Sequence, residues 1–148
     1  MLLRKLKALL EKPDDQSEIS EEELQLATAA LLVEVARADF KEDPQEQKAI
    51  LSILERHFDM ASSEAHNLFS DAELSVDESV SLHEFTSKLH QRLDPAAKHK
   101  IIKMMWQVAI ADGVIDRYED YVVRKVADLL YVDHVDFMRL KHDAIDGT

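Results

Sequence analysis

Two short stretches of this chain concentrate side chains able to hold a hard cation. Asp112, Asp116 and Glu119 lie in the run Asp112-Gly113-Val114-Ile115-Asp116-Arg117-Tyr118-Glu119, and Asp39, Asp43 and Glu46 repeat that spacing 73 residues earlier. Carboxylate oxygens at such intervals suit Ca²⁺ or Mg²⁺, and if the two turns meet, all six could contribute. The later run also looks like the second half of an EF-hand loop. Its first and third ligand positions, however, would be Val108 and Ile110, which offer no oxygen and belong to an apolar helix, so it is not an EF-hand. The same residues have a competing role in folding. Asp116 and Glu119 occupy the N-cap and N3 positions of a capping arrangement worth about 1 kcal/mol. Gly113 reads as the left-handed residue that closes the preceding helix, and Asp112 can bond turn amides. Capping is the simpler account, and the acidic composition keeps cation binding as its rival.

Other chemistry is poorly supplied. There is no cysteine, which excludes disulfides, thiolate catalysis and Cys-ligated zinc. The two glycines, Gly113 and Gly147, cannot build a Walker or dinucleotide loop, and there is no G-x-S-x-G elbow. Among seven histidines, His83 and His90 superficially suggest a zinc helix. Seven residues of helix separate them by about 10.5 Å, too far for one tetrahedral ion, so they read as surface histidines. Glu84 and Lys88 form an ordinary i, i+4 pair. Met104, Met105 and Trp106 sit at core spacing. No catalytic set emerges and the expectation is a non-enzyme; a metal-assisted carboxylate hydrolase would need a deep pocket beside the loops.

The elements that must position these residues are helices. Only two Gly and three Pro occur in 148 residues, too few for the hairpins and bulges of a sheet protein. Ser20 with Glu23 is a capping box opening a helix to about Asp39 that is apolar on nearly every side, as befits a central helix. Asp43-Pro44 starts the next helix, ending near Phe58, and Ser62 or Ser63 another, with Ala65, Leu68 and Phe69 inward. Residues 71–79, acidic and punctuated by serines, read as the main mid-chain loop. An amphipathic helix spans Val80 to Leu93. Asp94-Pro95 opens a second central helix carrying Ile101 to Ile110 and ending at Asp112-Gly113. Helices from Asp116 and from about Asp133 to Ala144 follow. The expectation is an all-α, single-domain bundle of seven to eight helices, residues 20–144, preceded by an amphipathic helix over residues 1–13.

An internal repeat organises the bundle. Shifted by 73 residues, positions 31–58 and 104–131 share six identities in 28, against about two expected from composition. The identical pairs are Val35/Val108, Ala36/Ala109, Ala38/Ala111, Asp39/Asp112, Asp43/Asp116 and Glu46/Glu119. One gap later, Met60, Glu64 and Leu68 meet Val132, Asp136 and Leu140. The predicted units, about 24–69 and 97–141, are helical hairpins related by a pseudo-twofold.

The segment Val108-Ala109-Ile110-Ala111-Asp112-Gly113-Val114-Ile115-Asp116-Arg117-Tyr118-Glu119 resembles the hallmark acidic loop of the TerB-like, tellurite-resistance-protein-B family. Ala38-Asp39 through Glu46 falls where that family has its first acidic loop, although Phe40 stands in place of the expected Gly and Glu42 in place of an apolar residue. The family also resembles the N-terminal region of some DnaJ-type co-chaperones; this chain has no His-Pro-Asp tripeptide and hence no J domain. The resemblance implies an all-helical bacterial cytoplasmic domain linked to tellurite resistance and stress responses.

Net charge narrows the partners. The chain carries −12, yet residues 1–12 hold Arg4, Lys5, Lys7 and Lys12 against Glu11, a local +3 that leaves −15 for the rest. So acidic a body repels phosphate backbones, so nucleic acid is not an expected partner. Residues 1–12 place Leu2, Leu3, Leu6, Leu9 and Leu10 on one face, which makes a weak membrane anchor and a better cap for the core. No run is long enough to span a membrane and no signal-peptide cleavage pattern follows the first leucines, which points to the cytoplasm. The expected function is a binding or adaptor module for a protein partner, tuned by a divalent cation at Asp112, Asp116 and Glu119. The alternative is a dedicated metal-ion sensor or sequestering protein.

Overall fold

The computed structural model describes residues 20–38, 43–78 and 82–147. Among them are seven helices and no strand: α1 (Glu21–Ala36), α2 (Pro44–Phe58), α3 (Ser62–Asp77), α4 (Leu82–Arg92), α5 (Pro95–Ala109), α6 (Arg117–Leu129) and α7 (His134–Ile145). The all-α bundle read from composition and periodicity is the observed architecture. The amphipathic segment over residues 1–13 and the turn residue Asp39 lie outside the described residues.

Two central helices hold the molecule together. In α1, Leu26, Ala27, Ala29, Leu31, Leu32 and Val35 are all buried, which only a helix enclosed on every side achieves. Its start is fixed by the Ser20–Glu23 box: Glu23 N–H donates to Ser20 Oγ and Ser20 N–H to Glu23 Oε1, both at 3.2 Å. Three glutamates in that first turn also favour the positive end of the helix dipole. In α5, Asp94 accepts from Ala97 N–H at 2.8 Å, Pro95 sits at N1, and Ile101, Ile102, Met105, Trp106 and Val108 are buried.

Helix pairings come in matched sets. Helix α1 packs on α3 as α5 packs on α7, α1 on α2 as α5 on α6, and α2 on α5 as α6 on α1; the two central helices meet each other. Each hairpin therefore lays its second helix against the other hairpin's first. Two helix ends share one backbone feature. Asp59 (φ 51) ends α2 and Tyr131 (φ 58) follows α6, both left-handed. The next amide reaches five residues back in both cases, Met60 N–H to Glu55 O at 3.1 Å and Val132 N–H to Ala127 O at 2.8 Å. The two turns share this geometry, and Tyr131 is exposed while Phe58 packs on the core.

One sequence expectation is corrected. Residues 71–77, read as loop, continue α3. Small residues carry the buried stripe there: Ala65, Leu68, Ala72 and Ser75 fall at helical spacing, and Val76 packs beside them. Ser75, taken for loop punctuation, satisfies its hydroxyl within the helix by donating to Asp71 O at 3.0 Å. Arg37, just past α1, bonds Asp77 at 2.6 Å and lies 3.5 Å from Glu73, tying that acidic turn down. The pair is largely exposed, so it adds orientation more than stability.

Candidate functional site

The turn between α5 and α6 is built from backbone bonds and carboxylate caps. Helix α5 ends at Ala109, earlier than the sequence suggests, and Gly113 N–H closes a tight turn onto Ile110 O at 2.8 Å. Gly113 has φ +92, a conformation that strains any side chain even though open space surrounds its Cα. Asp112 Oδ1 accepts from Val114 N–H at 3.0 Å, an Asx turn. Asp116 Oδ1 then accepts from Tyr118 N–H at 2.7 Å, and Glu119 Oε1 accepts from Asp116 N–H at 3.2 Å. Glu119 is only 1% exposed, so its carboxylate belongs to the interior side of the turn.

The earlier turn uses the same parts. Asp43 Oδ1 accepts from Gln45 N–H at 2.8 Å, Pro44 takes N1, and Glu46 at N3 is also 1% exposed. The structure thus places Asp112, Asp116 and Glu119 in one turn and Asp43 and Glu46 in another. Among the described residues, no three His, Asp or Glu side chains converge in a way that could hold a metal ion.

The model of the family described as Tellurite resistance protein TerB matches residues 25–142, most of the chain. The chain belongs to the TerB family. Neither a curated protein nor a solved structure matches it. The match takes in the α5–α6 turn and runs from the second turn of α1 almost to the end of α7. No helix among the described residues is long and apolar enough to cross a membrane.

A further polar pair escaped the sequence reading. His83 is exposed, but His90 near the end of α4 accepts a hydrogen bond from Lys98 Nζ across the Asp94-Pro95 break and lies against the Tyr131 ring, centroids 4.4 Å apart. Lys98 is 8% exposed, and burial pulls its ammonium below the usual lysine range. Burial and the Lys98 charge likewise hold the His90 imidazole below the usual histidine range, against a hydrogen bond to the Leu130 backbone that acts the other way. In the unfolded chain His90 takes up its proton near pH 6.5, in the fold only at lower pH. The unfolded state then binds more protons in that window, so stability falls as pH drops below about 6.5. His57 is depressed too, by burial first and by Lys100 second, with Glu21 opposing, and shares the window. The discriminating measurement is a comparison of melting temperatures at pH 7.5 and 5.5. His90→Gln, which keeps an acceptor without a titrating ring, should lose less on acidification than the parent. An equal loss in both chains discounts the His90–Lys98 contact.

Proposed function

We propose that this TerB chain is a non-enzymatic binding or adaptor module of a bacterial, tellurite-resistance-like stress response, working in the cytoplasm through a protein partner. The observation that carries the reading is the family match over residues 25–142. We further propose that its acidic loops act as helix caps that fix the hairpins, rather than as a cation sensor. The support is that Asp112, Asp116, Glu119 and Asp43 are each engaged by a nearby backbone amide at 2.7–3.2 Å.

Two measurements test this. Deleting the gene should sensitise the source cell to tellurite, and the immobilised chain should capture a specific protein from tellurite-stressed cells. A deletion strain as resistant as its parent, together with an empty capture, overturns the adaptor reading. Thermal melts with millimolar Ca²⁺, Mg²⁺, Mn²⁺ or Zn²⁺ against EDTA test the capping reading, which expects no shift. Because a ligand that binds only the folded state stabilises it by mass action, a cation-dependent rise abolished by Asp112→Asn would establish the sensor instead.

A further inference from the structure

The face of α2 turned toward α5 departs from the charge of the rest of the molecule. A groove of about 800 Å³ runs between α2, the second half of α5 and the end of α7. A smaller hollow beside Met104 and His57 adjoins it, sharing Ile53, Arg56 and Gln107. The floor is apolar, with Ile53 and Ala144 buried beneath it. Along the rim, Lys48, Ser52 and Arg56 stand at i, i+4 and i+8, one exposed line down α2. His57, one residue round the helix from Arg56, lines the smaller hollow, with Lys100 close enough to act on its charge and Glu21 the opposing carboxylate at that end.

Acidic residues make up 30 of the 148, yet among the described residues none lines either hollow. Among the described residues no carboxylate engages Lys48 or Arg56; Arg56 Nε has a long bond to Ser52 O at 3.4 Å within its own helix. At the position that the 73-residue shift pairs with Gln107 the chain has Glu34, so the other half lacks this acid-free wall.

We infer that this groove is the docking surface for an acidic, amphipathic segment of a protein partner, its carboxylates meeting Lys48 and Arg56 and its apolar residues covering the Ile53 floor. This deepens the adaptor reading and rests on it. Spacing selects the occupant. Lys48 and Arg56 are two helical turns apart, about 12 Å along the axis. Carboxylates distributed along a chain can meet both, whereas one small oxyanion meets either. The volume agrees, since a cleft of this size takes several side chains and would be mostly empty around a single small ion. Repulsion from the remaining acidic surface is screened beyond about 8 Å at physiological salt, so the local charge decides the contact.

The probe is a fluorescein-labelled amphipathic 14-residue peptide with glutamates on one helical line and leucines beside them; its lysine twin is the control. Fluorescence anisotropy at physiological salt should show binding of the acidic peptide alone. Lys48→Glu/Arg56→Glu should weaken that binding about tenfold at an unchanged melting temperature, while Lys125→Glu on α6 leaves it intact. Equal binding of the lysine peptide, no binding of the acidic one, or indifference to the double reversal overturns the proposal. So does full competition by inorganic phosphate at equimolar concentration, which would make the groove a small-anion site. Loss of self-association in the double variant, seen by size exclusion, would also overturn it in favour of a second copy as occupant. If a cell-captured partner binds parent and double variant equally, the groove assignment fails while the adaptor reading stands. An empty capture with an unaffected deletion strain fails the adaptor reading itself.

Discussion

Trp106→Ala should lower the stability of the fold by about 3–5 kcal/mol and its melting temperature by roughly 10 °C. The indole is fully buried near the C-terminal end of α5, and α5 packs on α1, α2, α6 and α7. Its ring lies 5.2 Å from the Phe137 ring at 50°, joining α5 to α7, and the Lys141 ammonium stands 4.9 Å over its face. Lys141 in turn bonds Asp120 of α6 at 3.2 Å, so one indole organises contacts from two further helices. Truncation removes the largest fully buried side chain, and helices held on several sides cannot close the void. Trp106→Phe separates packing from polarity. The indole Nε1 is buried with no hydrogen-bond acceptor among the described residues, so phenylalanine relieves a desolvated donor while losing volume. It should therefore cost less than half of the alanine effect. Urea unfolding followed by far-ultraviolet circular dichroism is the measurement, because the only tryptophan is the one removed. A midpoint within 1 kcal/mol of the parent after Trp106→Ala would displace α5 from the centre of the core.

The central helices were legible because several independent signals agree on them. Ser20 with Glu23 and Asp94 with Pro95 mark their starts, and apolar residues on every side mark their burial. Reading failed where small residues did the packing. Ala72 and Ser75 carry little hydrophobic signal, so the acids and serines around them outweighed it and α3 was cut short. The left-handed residues Asp59 and Tyr131 gave no warning either, since neither is a glycine. For the acidic loops, residue types and spacing located Asp43, Asp116 and Glu119 at helix starts. They could not tell that Glu46 and Glu119 are buried, because burial at N3 depends on which neighbouring hairpin covers that turn. The His90–Lys98 pair and the α2–α5 groove are of the same kind. Both join residues on different helices, which spacing along one chain does not bring together.

The burial of Glu119 makes it the residue that decides between a scaffold loop and a cation loop. Glu119→Ala should destabilise the fold by about 2 kcal/mol: it takes the acceptor from Asp116 N–H, undoes half of the capping box, and opens space beneath the turn. Glu119→Gln keeps a carbonyl oxygen within reach of the same amide and keeps the volume. If the side chain serves as an acceptor, Gln should retain most of the stability, with a loss below about 1 kcal/mol at unchanged denaturant slope. If the negative charge is what matters, Gln and Ala should be equally damaging. In that case the charge must be answered by something positive, either a fixed group of the protein such as the positive end of α6 or a bound cation. Salt separates those two, because interaction with the helix end is screened as ionic strength rises, while a specific cation stabilises at constant ionic strength and EDTA reverses it. A Gln variant close to the parent, with melts indifferent to EDTA, leaves the loop as the clasp that sets α5 against α6, and directs the search for function to the helix surfaces that this clasp holds in place.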